Sequence, residues 1–183
     1  MSDYRSEEYL NCLEKGSDVE DDIQLFLDSM SEYDGIKYVS YDDDGNVTWQ
    51  QIDTRFGKKR HPDFLVNNKK RGELVLLLEV KFLDQKYSNK YGIVENLPKD
   101  RFYVTAEKAK IDDYLVVQAH YEVECRVVFV IGKKGKNRDY FWENLDNLMG
   151  SIAYEGKPYG KSGEVCYMWD VEDLEESLFV LLP

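Results

Sequence analysis

The stretch that most restricts this fold runs from Leu74 to Leu83, where Glu79 and Lys81 are the only charged residues among Leu, Val and Phe. Preceded by the turn-like Asn67 to Gly72, it reads as a strand buried on both faces. Charges in such a strand are costly unless they are partnered. Side chains alternate faces along a strand, so Glu79 and Lys81 emerge on the same one, about 6.6 Å apart along the chain. Asp63 opens a shorter run, Phe64 to Val66, whose start is set by Pro62 because the residue before a proline is pushed toward extended geometry. Two acids and a lysine suit metal-assisted phosphodiester cleavage. A hard cation takes oxygen ligands and keeps several waters, one of which can be the nucleophile.

Register decides whether Asp63 joins that face. A symmetric hairpin centred between Lys69 and Lys70 pairs Asp63 with Leu76, facing away from Glu79 and Lys81. A shift of one residue, or a bulge, returns it. The sequence leaves these alternatives open.

The chain has 183 residues with 43 % hydrophobic content, enough for one α/β domain with its core over about 16–132 and an extension over about 133–183. No apolar stretch is long enough to cross a membrane, and the acidic N-terminal segment lacks a signal-peptide pattern, so a cytoplasmic location is expected. Cys12, Cys125 and Cys166 are odd in number and far apart, which argues against a disulfide framework or a cysteine cluster. The two histidines, His61 and His120, exclude most histidine-rich metal sites and disfavour a Ser-His-Asp triad. No Gly-rich phosphate loop follows a predicted strand.

The formal net charge of −12 argues against a nonspecific nucleic-acid coat. Basic residues are nevertheless grouped: Lys58, Lys59 and Arg60; Lys69, Lys70 and Arg71; Lys133 and Lys134. They read either as phosphate contacts or as solvated turns.

Helical spacing predicts a short helix over 3–15, interrupted at Gly16, then a second from Asp18 to about Tyr33 with Val19, Ile23, Phe26, Leu27 and Met30 buried. Glu20 borders that stripe, while Ser17 to Glu20 also fits a capping box. Residues 36–41 and 47–52 read as a hairpin around the Asp42 to Gly45 turn. A polar loop is expected over 84–100. Thr105 is expected to cap a helix to about His120, with Lys108, Ile111, Leu115 and Gln118 on one face. Cys125 to Ile131 is a further strand. Beyond it come a helix over 140–149, a strand over 165–169 and an acidic helix over 171–178.

Pro62-Asp63 followed by Glu79-Val80-Lys81, within this order of elements, resembles the PD-(D/E)XK nuclease superfamily. The resemblance implies a restriction-endonuclease-like α/β core, a mixed central sheet flanked by helices in the order α-β-β-β-α-β. It further implies that Asp63, Glu79 and the Val80 carbonyl hold Mg2+ or Mn2+ and that Lys81 orients the attacking water. In Holliday-junction resolvases a glycine-led helix carries a glutamate toward the metal, and Gly16 to Glu20 looks similar; this branch would imply a homodimer acting on branched DNA. Other branches place a Gln or Lys of the following helix at the centre, which points to Gln118 and then Lys108, although the usual Gln-X-X-X-Tyr pattern is not met. The implied activity is DNA hydrolysis. The alternative is a noncatalytic module of the same fold whose acidic surface binds a basic partner or imitates DNA.

Overall fold

A computed structural model describes residues 7–39, 45, 52–53, 57–132, 137–158, 163–178 and 181–183, and the backbone alone at 7–17 and 52–53. The elements are α1 (Glu7–Ser29), β1 (Tyr33–Lys37), β2 (Ile52–Asp53), β3 (Lys59–Arg60), β4 (Phe64–Asn68), β5 (Glu73–Leu83), β6 (Tyr87–Ser88), β7 (Phe102–Glu107), α2 (Lys108–Tyr121), β8 (Cys125–Ile131), β9 (Asp139–Asn144), α3 (Leu145–Gly150), β10 (Tyr154–Gly156) and β11 (Cys166–Asp170). A five-stranded sheet in the order β1-β4-β5-β8-β9 forms the centre. It is mixed, with β5 and β8 parallel and the other pairs antiparallel. The expected α-β-β-β-α-β order is present as α1, β1, β4, β5, α2 and β8. The protein is thus of the mixed α/β class, and no helix among the described residues is long and apolar enough to cross a membrane.

The apolar run forms β5 and is covered on both sides, as its composition requires. Leu76, Leu78 and Val80 pack toward Val19, Ile23 and Leu27 of α1. Leu77, on the opposite face, packs with Ile111, Tyr114 and Val117 of α2. Glu79 and Lys81 alternate with Leu78 and Val80, so they belong to the α2 face.

The register is decided by a wider turn and a bulge. Phe64 pairs with Leu78, Leu65 with Leu77 and Val66 with Leu76; the pairing then shifts between Val66 and Asn67, so that Asn67 meets Leu74. Four residues, 69–72, make the turn. The Asn68 side-chain oxygen accepts from the backbone N–H groups of Lys70 (3.0 Å) and Arg71 (3.1 Å), and Gly72 adopts φ 66°. Continuing the register beyond Phe64 sets Asp63 opposite Glu79. Neither the symmetric hairpin nor the single-step shift is the one formed.

Several local expectations are corrected. α1 runs through Gly16 without a break, because helix continuation there is supported by tertiary packing of Val19, Ile23 and Leu27, so Ser17 lies within the helix and not at its start. β1 pairs with β4; the other strand of the expected hairpin, 47–51, and the turn at 42–44 lie outside the described residues. Phe102–Glu107 is a strand, so α2 starts at Lys108 and not at Thr105. Residues 139–144 are strand β9 followed by the short α3, and in the acidic segment Val171–Asp173 form a 3-10 turn that residues 174–177 do not continue. β7 joins a second sheet, β10-β11-β7-β6, through partners about sixty residues away in sequence. Local spacing carries no record of so distant a partner.

Candidate functional site

Asp63 and Glu79 meet on the α2 face of the central sheet, at 8 % and 3 % exposure. The backbone holds Asp63 from both sides: its carbonyl accepts from the Tyr38 N–H at 2.8 Å, and its Oδ2 accepts from the Val80 N–H at 2.8 Å. Burial pushes the Asp63 carboxyl well above the usual carboxylate range, and the charges of Glu79 and Glu20 push it further the same way. Lys81 and the Val80 N–H oppose this shift and are outweighed.

Lys81 turns back along its own strand and pairs with Glu79 Oε1. Burial works against its ammonium, but the carboxylates of Glu79 and Asp63 outweigh it and raise the lysine above its ordinary value. Lys81 is therefore a fixed cation and a hydrogen-bond donor at neutral pH. Its Nζ also lies 3.2 Å from Tyr114 Oη on α2 and 5.4 Å from the centre of that ring. Burial, followed by the Glu79 and Asp63 charges, raises the Tyr114 hydroxyl well above its ordinary value, so it too stays protonated.

Glu20 approaches from α1. Its charge reaches Asp63, as the Asp63 shift records, while its Oε2 pairs with Lys37 at 2.5 Å. The structure thus brings together Asp63, Glu79, Val80 and Lys81, with Glu20 at the border. Gln118 is elsewhere. Its Oε1 accepts from the Cys125 N–H at 2.7 Å and its Nε2 donates to Asp146 at 2.9 Å, so both ends of the amide are used to join α2 to β8 and α3. The buried face of α2 is Ile111, Tyr114 and Val117, rotated from the expected Ile111, Leu115 and Gln118. Lys108 is also remote, held by Tyr167 and by Glu155 at 3.3 Å.

Tyr114 is the residue the sequence reading missed. Its three-residue spacing from Ile111 and Val117, which places all three on the inward stripe of α2, is the sequence signal that marks it. Glu107, the last residue of β7, belongs to the same surroundings: it donates charge toward Lys81 and pairs with Lys110 at 2.9 Å. A cleft of ≈ 420 Å³ opens here, lined by Lys81, Thr105, Glu107, Lys110, Glu164 and Cys166.

Among the described residues, the 69–71 basic group lies away from the carboxylates. Lys69 and Lys70 sit on the turn at the far end of the hairpin, about 17 Å from Asp63 by strand rise, and bond to the Met30 carbonyl (3.2 Å) and Glu32 (3.1 Å). Arg71 is beside them. Lys59 pairs with Asp113 at 3.0 Å, which also accepts from the Arg60 N–H at 3.1 Å, while Lys58 is exposed. Lys133 and Lys134 lie outside the described residues.

A divalent cation fits the carboxylate pair. Glu79 Oε2 is buried and has no hydrogen-bond partner among the described residues, a costly state for a carboxylate oxygen and one that a cation relieves. The donor set is all oxygen, as a hard cation prefers. Among the described residues no three or more His, Cys, Asp and Glu side chains form a metal-binding group; two carboxylates, with the carbonyl between Glu79 and Lys81, are what the site offers.

No protein-family model matches the chain, and no curated protein matches it. Among solved structures, one similar chain is Hjc of Archaeoglobus fulgidus, a Holliday junction resolvase from an archaeal hyperthermophile. It shares 12 % identity and a TM-score of 0.48 with this chain, over 91 % of this chain and 94 % of that one, a likeness that carries no argument about chemistry.

Proposed function

We propose that this protein is a metal-dependent nuclease that hydrolyses DNA phosphodiester bonds. The observation that supports this reading is the buried Asp63 and Glu79 pair facing the fixed ammonium of Lys81. Asp63, Glu79 and the Val80 carbonyl would hold Mg2+ or Mn2+, which when bound supplies Lewis acidity toward the phosphodiester. Lys81, kept protonated by Glu79 and Asp63, is suited to donate a hydrogen bond to the attacking water or to a non-bridging phosphate oxygen, where negative charge grows in the transition state. Tyr114 keeps the ammonium in place from the α2 side. Glu20, through its charge on Asp63, makes the carboxyl cluster more demanding of a cation.

A second reading is favoured by the net charge of −12 and by the ion pairs that occupy Lys59 and Lys70: a noncatalytic module of this fold that binds a basic partner. Cleavage assays separate the two. Labelled duplex, single-stranded and four-way-junction DNA are incubated with Mg2+ or Mn2+ at low salt. The nuclease reading expects cutting by the wild type that is lost in Asp63→Ala and Lys81→Ala; a folded wild type that cuts none of them overturns it.

A further inference from the structure

An exposed aromatic and aliphatic pair stands on the loop between β6 and β7. Between β6 and β7 the chain folds around Asn89, whose side chain is fully buried. Its Nδ2 donates to the carbonyls of Val94 (2.8 Å) and Leu97 (2.9 Å), and its Oδ1 accepts from the Val94 N–H (3.0 Å). Val94 and Leu97 are buried with Tyr103 and Met168, so the loop is anchored in its own small core. Gly92 (φ 63°) and Asn96 (φ 69°) take the left-handed conformations that make the tight path feasible. What this scaffold leaves outside is Tyr91 at 81 % and Ile93 at 67 % exposure, with Phe102 of the adjoining strand at 54 %. A loop held by three buried hydrogen bonds loses little freedom when an exposed ring finds a partner.

The partner is indicated by charge and by position. From Lys86 to Lys99 the chain carries Lys86, which pairs with Asp139 at 3.4 Å, and the exposed Lys90 and Lys99, against Glu95. Lys90 and Lys99 are exposed beside Tyr91 and Gly92. Phe102 and Ala106 share one face of β7, about 13 Å apart by strand rise. Ala106 lines the cleft at Lys81, while Phe102 lines a second cleft with Lys86, Tyr87 and Ile131. That separation is about four stacked nucleotides of one strand. Rings with lysines between them are what unpaired bases and their phosphates recognise.

We propose that the 89–97 loop is a stacking platform for unpaired nucleotides, so that the substrate of the Lys81 site has single-stranded character a few nucleotides from the cut. The assignment rests on the nuclease reading for its second half only. The test is fluorescence anisotropy of a labelled oligothymidylate and of a labelled duplex of equal length, with EDTA present to prevent cutting, for the full chain and for Tyr91→Ala and Tyr91→Phe, followed by the cleavage assay with Mn2+. The platform predicts that Tyr91→Ala weakens single-strand binding about ten-fold, the effect of one lost stacked base, that Tyr91→Phe restores it, and that duplex binding is unchanged. Equal single-strand affinity in wild type and Tyr91→Ala overturns the platform even if the protein cuts DNA. Tyr91-dependent binding without cutting of any substrate leaves the platform standing and overturns the nuclease reading. Loss of self-association in Tyr91→Ala, with no oligonucleotide binding by the wild type, overturns the platform and assigns the face to a second copy of this chain.

Discussion

The Asp63 carboxylate accepts a hydrogen bond from the Val80 backbone N–H at 2.8 Å, which ties the start of one strand to the residue between Glu79 and Lys81 on the next. This bond sets Asp63 beside Glu79, where two buried carboxyl groups share one face and repel each other. Such an arrangement costs folding free energy, and it makes sense at a place that waits for a cation.

The cost is measurable at Asp63. Its folded-state carboxyl titrates above its unfolded value, so the stability it contributes is fully present below the unfolded value near 3.8 and is lost as pH rises through the folded one. Asp63→Asn removes the charge and keeps an oxygen for the Val80 N–H. In EDTA at pH 8 this variant should melt above the wild type, and the difference should shrink as the pH is lowered through the Asp63 titration. Thermal melts across pH check this.

Glu79 and Lys81 are a buried pair, and removing one partner strands the other. Lys81→Met should lower stability by about 3 kcal/mol, and Glu79→Gln/Lys81→Met should recover much of that loss. Urea unfolding of the two variants is the measurement. Both are expected to be without nuclease activity, so activity and stability part company in the double variant.

Tyr114→Phe keeps the ring and removes the oxygen 3.2 Å from Lys81. We expect the cleavage rate to fall about ten-fold, equivalent to about 1.4 kcal/mol, with a change in melting temperature of a few degrees at most. A large drop in stability with unchanged rate would make Tyr114 a packing residue only.

Gln118→Ala should show the opposite pattern. The Cys125 N–H loses its acceptor, which costs about 1 to 2 kcal/mol of stability, while cleavage per folded molecule stays at the wild-type level. Parallel melts and rate measurements separate the two effects.

The apolar run at 74–83 announces a doubly buried strand, and alternation alone places Glu79 with Lys81. Asp63 is harder, because its face depends on a four-residue turn and a bulge between Val66 and Asn67 that local sequence does not specify. The α2 side of the site is also less legible. Phe102–Glu107 is paired along most of its length by β11, from the far end of the chain, and at its start by β6; on α2 the spacings 111, 115, 118 and 111, 114, 117 both fit one helical face, and packing against Leu77 selects the second. Similarly, the lysines of 69–71 are close to Asp63 in sequence and a hairpin's length away in space.

The most direct test of the buried carboxylates as a cation site is Mn2+ titration by calorimetry, paired with melting curves, on wild type and Asp63→Asn at pH 7.5. Binding by the wild type is expected, with a melting temperature that rises with Mn2+ concentration as ligand linkage requires, and loss of both in the variant. A folded wild type that binds no Mn2+, or a variant that binds it equally well, would contradict the account.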